Sequence, residues 1–149
     1  MVWRVALLYL AAFLSVMGTV EQHCPMGDPQ ALKVHTLLSL PAYATAIVIL
    51  SRSRLSLPGL FCALPLVPFF AWQVWWGVEL FAVSNVRGAS ACALILGEQD
   101  YWEVGNSLLE LSIAPVYISV SGSSLLALAY SHWRYRRWAA KSTVADVFD

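Results

Sequence analysis

Four apolar runs without a single Asp, Glu, Lys or Arg dominate this chain: residues 5–20, 34–51, 55–78 and 111–131. The apolar character of the third continues past Glu79 to Val83. A bilayer's hydrocarbon core is about 30 Å thick and takes roughly 20 apolar residues per helix. The runs do not alternate polar and apolar residues, as strands of a membrane barrel would. They predict an all-α, polytopic integral membrane protein built as one membrane domain. The expected fold is an antiparallel bundle of four transmembrane helices, with spans at about 4–20, 34–51, 57–83 and 108–131. Connections this short make sequential helices antiparallel neighbours.

Composition agrees. Of 149 residues 59% are hydrophobic and 12% charged, where a soluble domain carries about 25% charged residues. Bases and acids balance, nine against nine. An intrinsically disordered chain and a basic nucleic-acid binder are both excluded. Arg4 ahead of an apolar run also fits a secretory signal peptide, with Val16 and Gly18 as small residues before a cut. A retained first helix is the reading adopted.

Lys and Arg accumulate in short cytoplasmic loops. With four spans, Arg4, Arg52, Arg54, Arg134, Arg136, Arg137 and Lys141 share one side, and only Lys33 and Arg87 fall on the other. Both termini are therefore expected in the cytoplasm, with a bacterial inner membrane as the expected location. Loops 21–33 and 84–107 then lie outside, and a basic tail, 132–149, carries Trp133, Tyr135 and Trp138 inside. Asp146 and Asp149 close the tail. The tail reads as a positive-inside anchor with interfacial aromatics.

The third run holds Pro58, Pro65 and Pro68, the second Pro41 and the fourth Pro115. Proline removes a backbone donor, so a kink is predicted near Pro65, with freed carbonyls met by neighbouring helices or hydroxyls. Trp72, Trp75, Trp76 and Glu79 share one helix face by spacing and are expected to combine core packing with an interfacial belt. Ser112, Ser119, Ser121, Gly122, Ser123 and Ser124 make the fourth run rich in small residues. Ser119 and Ser123, four apart, predict a packing seam within the bundle or a homo-oligomer.

Glu79 and Glu110 are the acids nearest the membrane, both toward the outer side. Acids at that depth usually face a cavity or a partner. The two are expected to approach one another, with Arg87 as the neutralising partner. His23 and Cys24, with His35 nearby, offer imidazole and thiol ligands, but no tight zinc spacing and no HExxH occurs, so no metal or cofactor is expected. Cys24 and Cys92 lie in different outer loops, and an oxidising exterior would join them in a disulfide. Cys62 is then a buried free thiol. No CxxC is present, which separates the chain from the four-helix disulfide-exchange enzymes of membranes, which it matches only in size and helix number.

The second outer loop has a small apolar part, 88–97, expected to lie in the interface or on the bundle. The acidic, aromatic stretch Glu98, Asp100, Tyr101, Trp102 and Glu103 follows and suits protein recognition. The leading functional expectation is a small non-enzymatic membrane protein acting through outer-loop contacts. It would be an accessory subunit or an inhibitor or immunity-type protein, with the bilayer and another membrane or outer-side protein as partners. The alternative is an oligomeric transporter or channel using Glu79 and Glu110. In size the chain resembles the small multidrug exporters, but their acid is in the first helix, and here that helix has none. A membrane redox or metal enzyme at the outer interface is the third possibility.

Overall fold

The computed structural model describes residues 3–20, 24, 28–97 and 108–145. Among the described residues six α-helices follow one another: α1 Trp3–Val20, α2 Gln30–Arg52, α3 Leu57–Ala63, α4 Leu66–Phe81, α5 Ala91–Leu96 and α6 Leu108–Ala145. A π-helical turn, Ala82–Val86, prolongs α4. Among the described residues there is no strand.

The break between α3 and α4 falls where the sequence predicts a kink. Pro58 sits at the start of α3, where a missing N–H is harmless. Pro65 cannot donate into the preceding turn, so α3 ends at Ala63 and α4 restarts at Leu66. At the break the Tyr9 hydroxyl of α1 donates to the Cys62 carbonyl at 2.7 Å. Pro41 and Pro115, in contrast, lie inside helices that continue through them.

Helix α1 packs on α2, α2 on α6, and α6 on α4. Side-chain pairings fix the directions. Thr36 meets Tyr117 and Ser53 meets Ser131, so α2 and α6 run parallel. Gln73 meets Ser121 and Asn85 meets the Leu111 carbonyl, so α4 runs antiparallel to α6. Tyr9 meets Cys62 and Ser15 meets Gln73, so α1 runs parallel to α3 and α4. The result is an up-down-up-down bundle in which α3 and α4 form one leg. One end carries Arg52, Arg54 and the Arg134–Arg137 stretch and is called the basic end below. The other carries Cys24, α5 and Glu110.

Among the described residues two larger apolar clusters fill the interior, and a small third one, Val83, Ala89 and Ala93, lies beside α5. Val5, Leu8, Tyr43, Leu50, Phe70 and Leu128 belong to the one toward the basic end. Leu32, Leu80, Ala91, Ile113 and Tyr117 belong to the other large one. The helix exteriors are just as apolar: Leu10, Phe13, Leu38, Phe61, Trp75 and Leu126 are all exposed. In water such a surface would be an aggregation liability. Among the described residues three helices are long and apolar enough to cross a membrane: Gln30–Arg52, Leu66–Val86 and Leu108–Ala140. The apolar stretch of α1, Val5–Met17, is shorter. The chain is all-helical over its described residues and compatible with an integral membrane protein.

The structure corrects one expectation, the burial of Cys62, and refines others. Helix α6, which contains the fourth apolar run, continues past residue 131 and spans 38 residues to Ala145, about 57 Å at 1.5 Å per residue. The basic tail is thus largely its continuation. Cys62 is exposed, not buried, because its side of α3 faces away from the bundle. The tryptophan face of α4 also turns largely outward. Trp75 is 60% and Trp72 43% exposed, and only Trp76 reaches inward, edge-on to Tyr117 at 5.6 Å. The buried stripe of α4 is Leu66, Phe70, Gln73, Gly77 and Leu80. A methyl group on Gly77 would come within 2.9 Å of Ile118 Cγ1, so this glycine permits the close approach of α4 to α6. On α6 the seam is Ala114, Tyr117, Ser121, Ser124 and Leu128. Ser119 and Ser123 stand outside this seam within the bundle and are exposed, which leaves them on the surface where the expected homo-oligomer seam would form.

Candidate functional site

The end of the bundle opposite the arginines is closed by α5. Its six residues are too few to hold a helix in isolation, and their placement comes from outside. Ser90 caps its N-terminus, with the hydroxyl accepting from the Cys92 N–H. Glu110, in the first turn of α6, is 3% exposed and accepts from the Ser90 hydroxyl at 3.0 Å and the Ala91 N–H at 2.7 Å. One carboxylate thereby serves the N-cap hydroxyl and the first N–H of α5 while standing at the N-terminal end of α6, where a negative charge is favoured. Gly97, in the left-handed conformation at φ 69°, terminates α5. Ala91, Cys92 and Ala93 are buried, and Leu94 and Ile95 pack on the cluster formed by Leu32, Leu80, Ile113 and Tyr117.

A disulfide adds a covalent tie. Cys24 and Cys92 are bonded, with Cα atoms 6.2 Å apart and a sequence separation of 68. Near it Lys33 forms an ion pair with Asp28. Because Cys24 is spent in the disulfide, it offers no thiolate for a metal. His35 is half-buried on α2, and His23 lies outside the described residues. Among the described residues no group of three metal-ligating side chains forms.

The acids do not meet. Glu79 lies exposed on α4 and makes no ion pair among the described residues, whereas Glu110 is buried under α5. Arg87 is exposed just after the π turn, with its N–H on the Ala82 carbonyl. Glu98, Asp100, Tyr101, Trp102 and Glu103 lie outside the described residues. The chain enters that stretch from the fixed end of α5 at Gly97 and leaves it into α6 at Leu108.

Beneath the cap lies a polar layer. Gln73 of α4, 2% exposed, accepts through Oε1 from the Tyr43 hydroxyl at 3.1 Å and the Ser121 hydroxyl at 2.8 Å. Its Nε2 donates to Ser15 Oγ at 3.0 Å. Ser15 and Tyr43 are themselves 3.1 Å apart. The Tyr117 hydroxyl donates to the Ser15 carbonyl at 3.2 Å, and Thr36 reaches Tyr117. The layer joins α1, α2, α4 and α6 through neutral groups only. Sequence reasoning passed over Gln73 in favour of the tryptophans beside it. The available signal was that Gln73 is the one amide in the third apolar run.

No family model matches the chain, and neither a curated protein nor a solved structure is similar to it at a significant level.

Proposed function

We propose that this chain is a four-span membrane protein with both ends in the cytoplasm, which works by presenting its outer loops to another protein. The observation that carries the reading is the fixing of α5. A disulfide, a buried carboxylate and an apolar cluster all hold one short helix against the outer end of the bundle. A rigid platform lowers the ordering cost of binding a partner. From this platform the chain continues into the acidic, aromatic stretch from Glu98 to Glu103, whose residue types favour a basic or cationic partner surface.

The orientation rests on the concentration of arginine at one end and of the disulfide at the other. The fourth span is α1, whose 18 residues reach about 27 Å and whose Val5, Leu8 and Ala11 help fill the core. A bacterial inner membrane suits this arrangement, with the disulfide on the oxidising side. The experiment is affinity purification of the full chain in mild detergent after cross-linking in cells. A partner retained by the native chain, and lost when Tyr101 and Trp102 are both changed to Ala, is the expected result. A chain that elutes alone under both conditions overturns the reading.

A further inference from the structure

At the basic end, two cavities of about 420 Å³ each follow one groove between α2 and α6. The first is apolar, lined by Ile47 and Ser51 of α2 and by Ser123, Leu126, Ala127 and Tyr130 of α6. The second is lined by Arg54, Arg134, Arg137, Trp138 and Ala140. Residues 123, 126, 127, 130, 134, 137 and 138 recur at helical spacing, so both cavities lie on one face of α6. Residues 47, 51 and 54 do the same along α2 and its exit. Arg134 joins the two cavities. Its Nη1 donates to the Ser51 carbonyl at 2.9 Å, and its guanidinium lies 5.9 Å from the centre of the Tyr130 ring.

The three guanidinium groups are held by aromatic rings rather than by acids. Arg54 lies over Trp138 at 5.2 Å and Arg137 over Trp133 at 4.0 Å. None of the three is ion-paired with a carboxylate among the described residues. A guanidinium stacked on a ring keeps its in-plane N–H donors for an anion, and its flat fork matches a phosphate. Arg134 lies eleven positions after Ser123, about 16 Å of helix, close to half of a bilayer core of about 30 Å. The groove thus spans about one leaflet and ends in cations.

We propose that this groove binds one anionic phospholipid, with its phosphate on Arg54, Arg134 and Arg137 and an acyl chain along Ile47, Leu126 and Ala127. A positive-inside anchor requires only basic charge near the interface. It requires neither three arginines from two elements on one cavity nor a matching apolar groove. Three cations also select against the ammonium of a zwitterionic headgroup. The inference rests on the membrane placement of α2 and α6 given above, and is independent of the outer-side partner.

Native mass spectrometry of the full chain, released from detergent containing equal phosphatidylglycerol and phosphatidylcholine, tests it. The wild type should retain the anionic lipid about tenfold or more over the zwitterionic one. The double variant Arg54→Gln/Arg137→Gln should lose that preference, and Arg136→Gln, one residue outside the cavity, should keep it. Leu126→Trp, at an exposed position in the apolar part, should weaken retention of both lipids. Equal retention of the two lipids by the wild type overturns the proposal. So does displacement of the bound lipid by millimolar inorganic phosphate, which would mark a site for free anions, and so does equal loss in Arg136→Gln. Alkaline carbonate extraction of the same variants separates the two readings, since a chain that stays in the membrane yet shows no lipid preference refutes the lipid site alone.

Discussion

Gln73 uses both ends of its amide, accepting from Tyr43 and Ser121 and donating to Ser15. In a bilayer, apolar burial does not separate helix–helix from helix–lipid contact, so interior polar bonds and close packing specify which faces meet. Each such bond contributes about 0.6 kcal/mol on average and at most about 1.7 kcal/mol. Gln73→Leu deletes three and leaves two serines and a tyrosine short of a buried partner. Reversible unfolding in mixed dodecyl sulfate micelles should show a loss of about 2 kcal/mol for Gln73→Leu, and under about 1 kcal/mol for Ser121→Ala. A Gln73→Leu chain as stable as the wild type would remove this layer from the forces that hold the bundle. The importance of Gln73 was not legible from composition, because the hydrophobic spacing of the third run admits several faces. Only the inward rotation of 66, 70, 73, 77 and 80 picks out this one.

At the level of elements, α5 shows how a segment with little structure of its own is placed. Its sequence, 91–96, is small and apolar, which predicted a piece lying on the bundle or in the interface without choosing between them. The choice of the bundle comes from Ser90, Glu110 and the Cys24–Cys92 bond acting together. The 68-residue separation of the two cysteines makes the bond a long-range constraint. Cys24→Ser/Cys92→Ser should lower the unfolding free energy by about 2–4 kcal/mol. It should also raise proteolytic cleavage near α5 well before the bundle itself opens. Unchanged cleavage would mean that Glu110 and the apolar cluster suffice. The α3–α4 break is the opposite case, legible in advance because proline acts through its own missing N–H. Tyr9 as the residue that meets the break was not legible, since it comes from 53 residues away.

On the scale of the whole molecule, charge separates along the bundle, and the proposed orientation follows from that. A membrane-impermeant maleimide applied to intact cells should label Val86→Cys, a 73% exposed site near α5, and spare Arg136→Cys until the membrane is opened. Both would be built on Cys62→Ala. The reverse pattern would invert the topology. Helical class and the approximate positions of the long apolar helices could be derived from the sequence, because hydrocarbon imposes length and apolarity on any helix that crosses it, whatever its neighbours. Cysteine pairing could be anticipated as well, since Cys24 and Cys92 both fall in connections at the same end of the helices, while Cys62 lies within an apolar run. Rotation of each helix could not be derived. With apolar side chains both outside and inside, hydrophobicity barely distinguishes the two faces of α4 or α6. The tryptophans and Ser119 with Ser123 therefore turned outward, while Gln73, Gly77 and Ser121 turned inward. The fate of the acids was equally a matter of three-dimensional packing. Glu79 and Glu110 look alike in sequence, and only the position of α5 gives Glu110 donors to accept from while Glu79 remains on the surface.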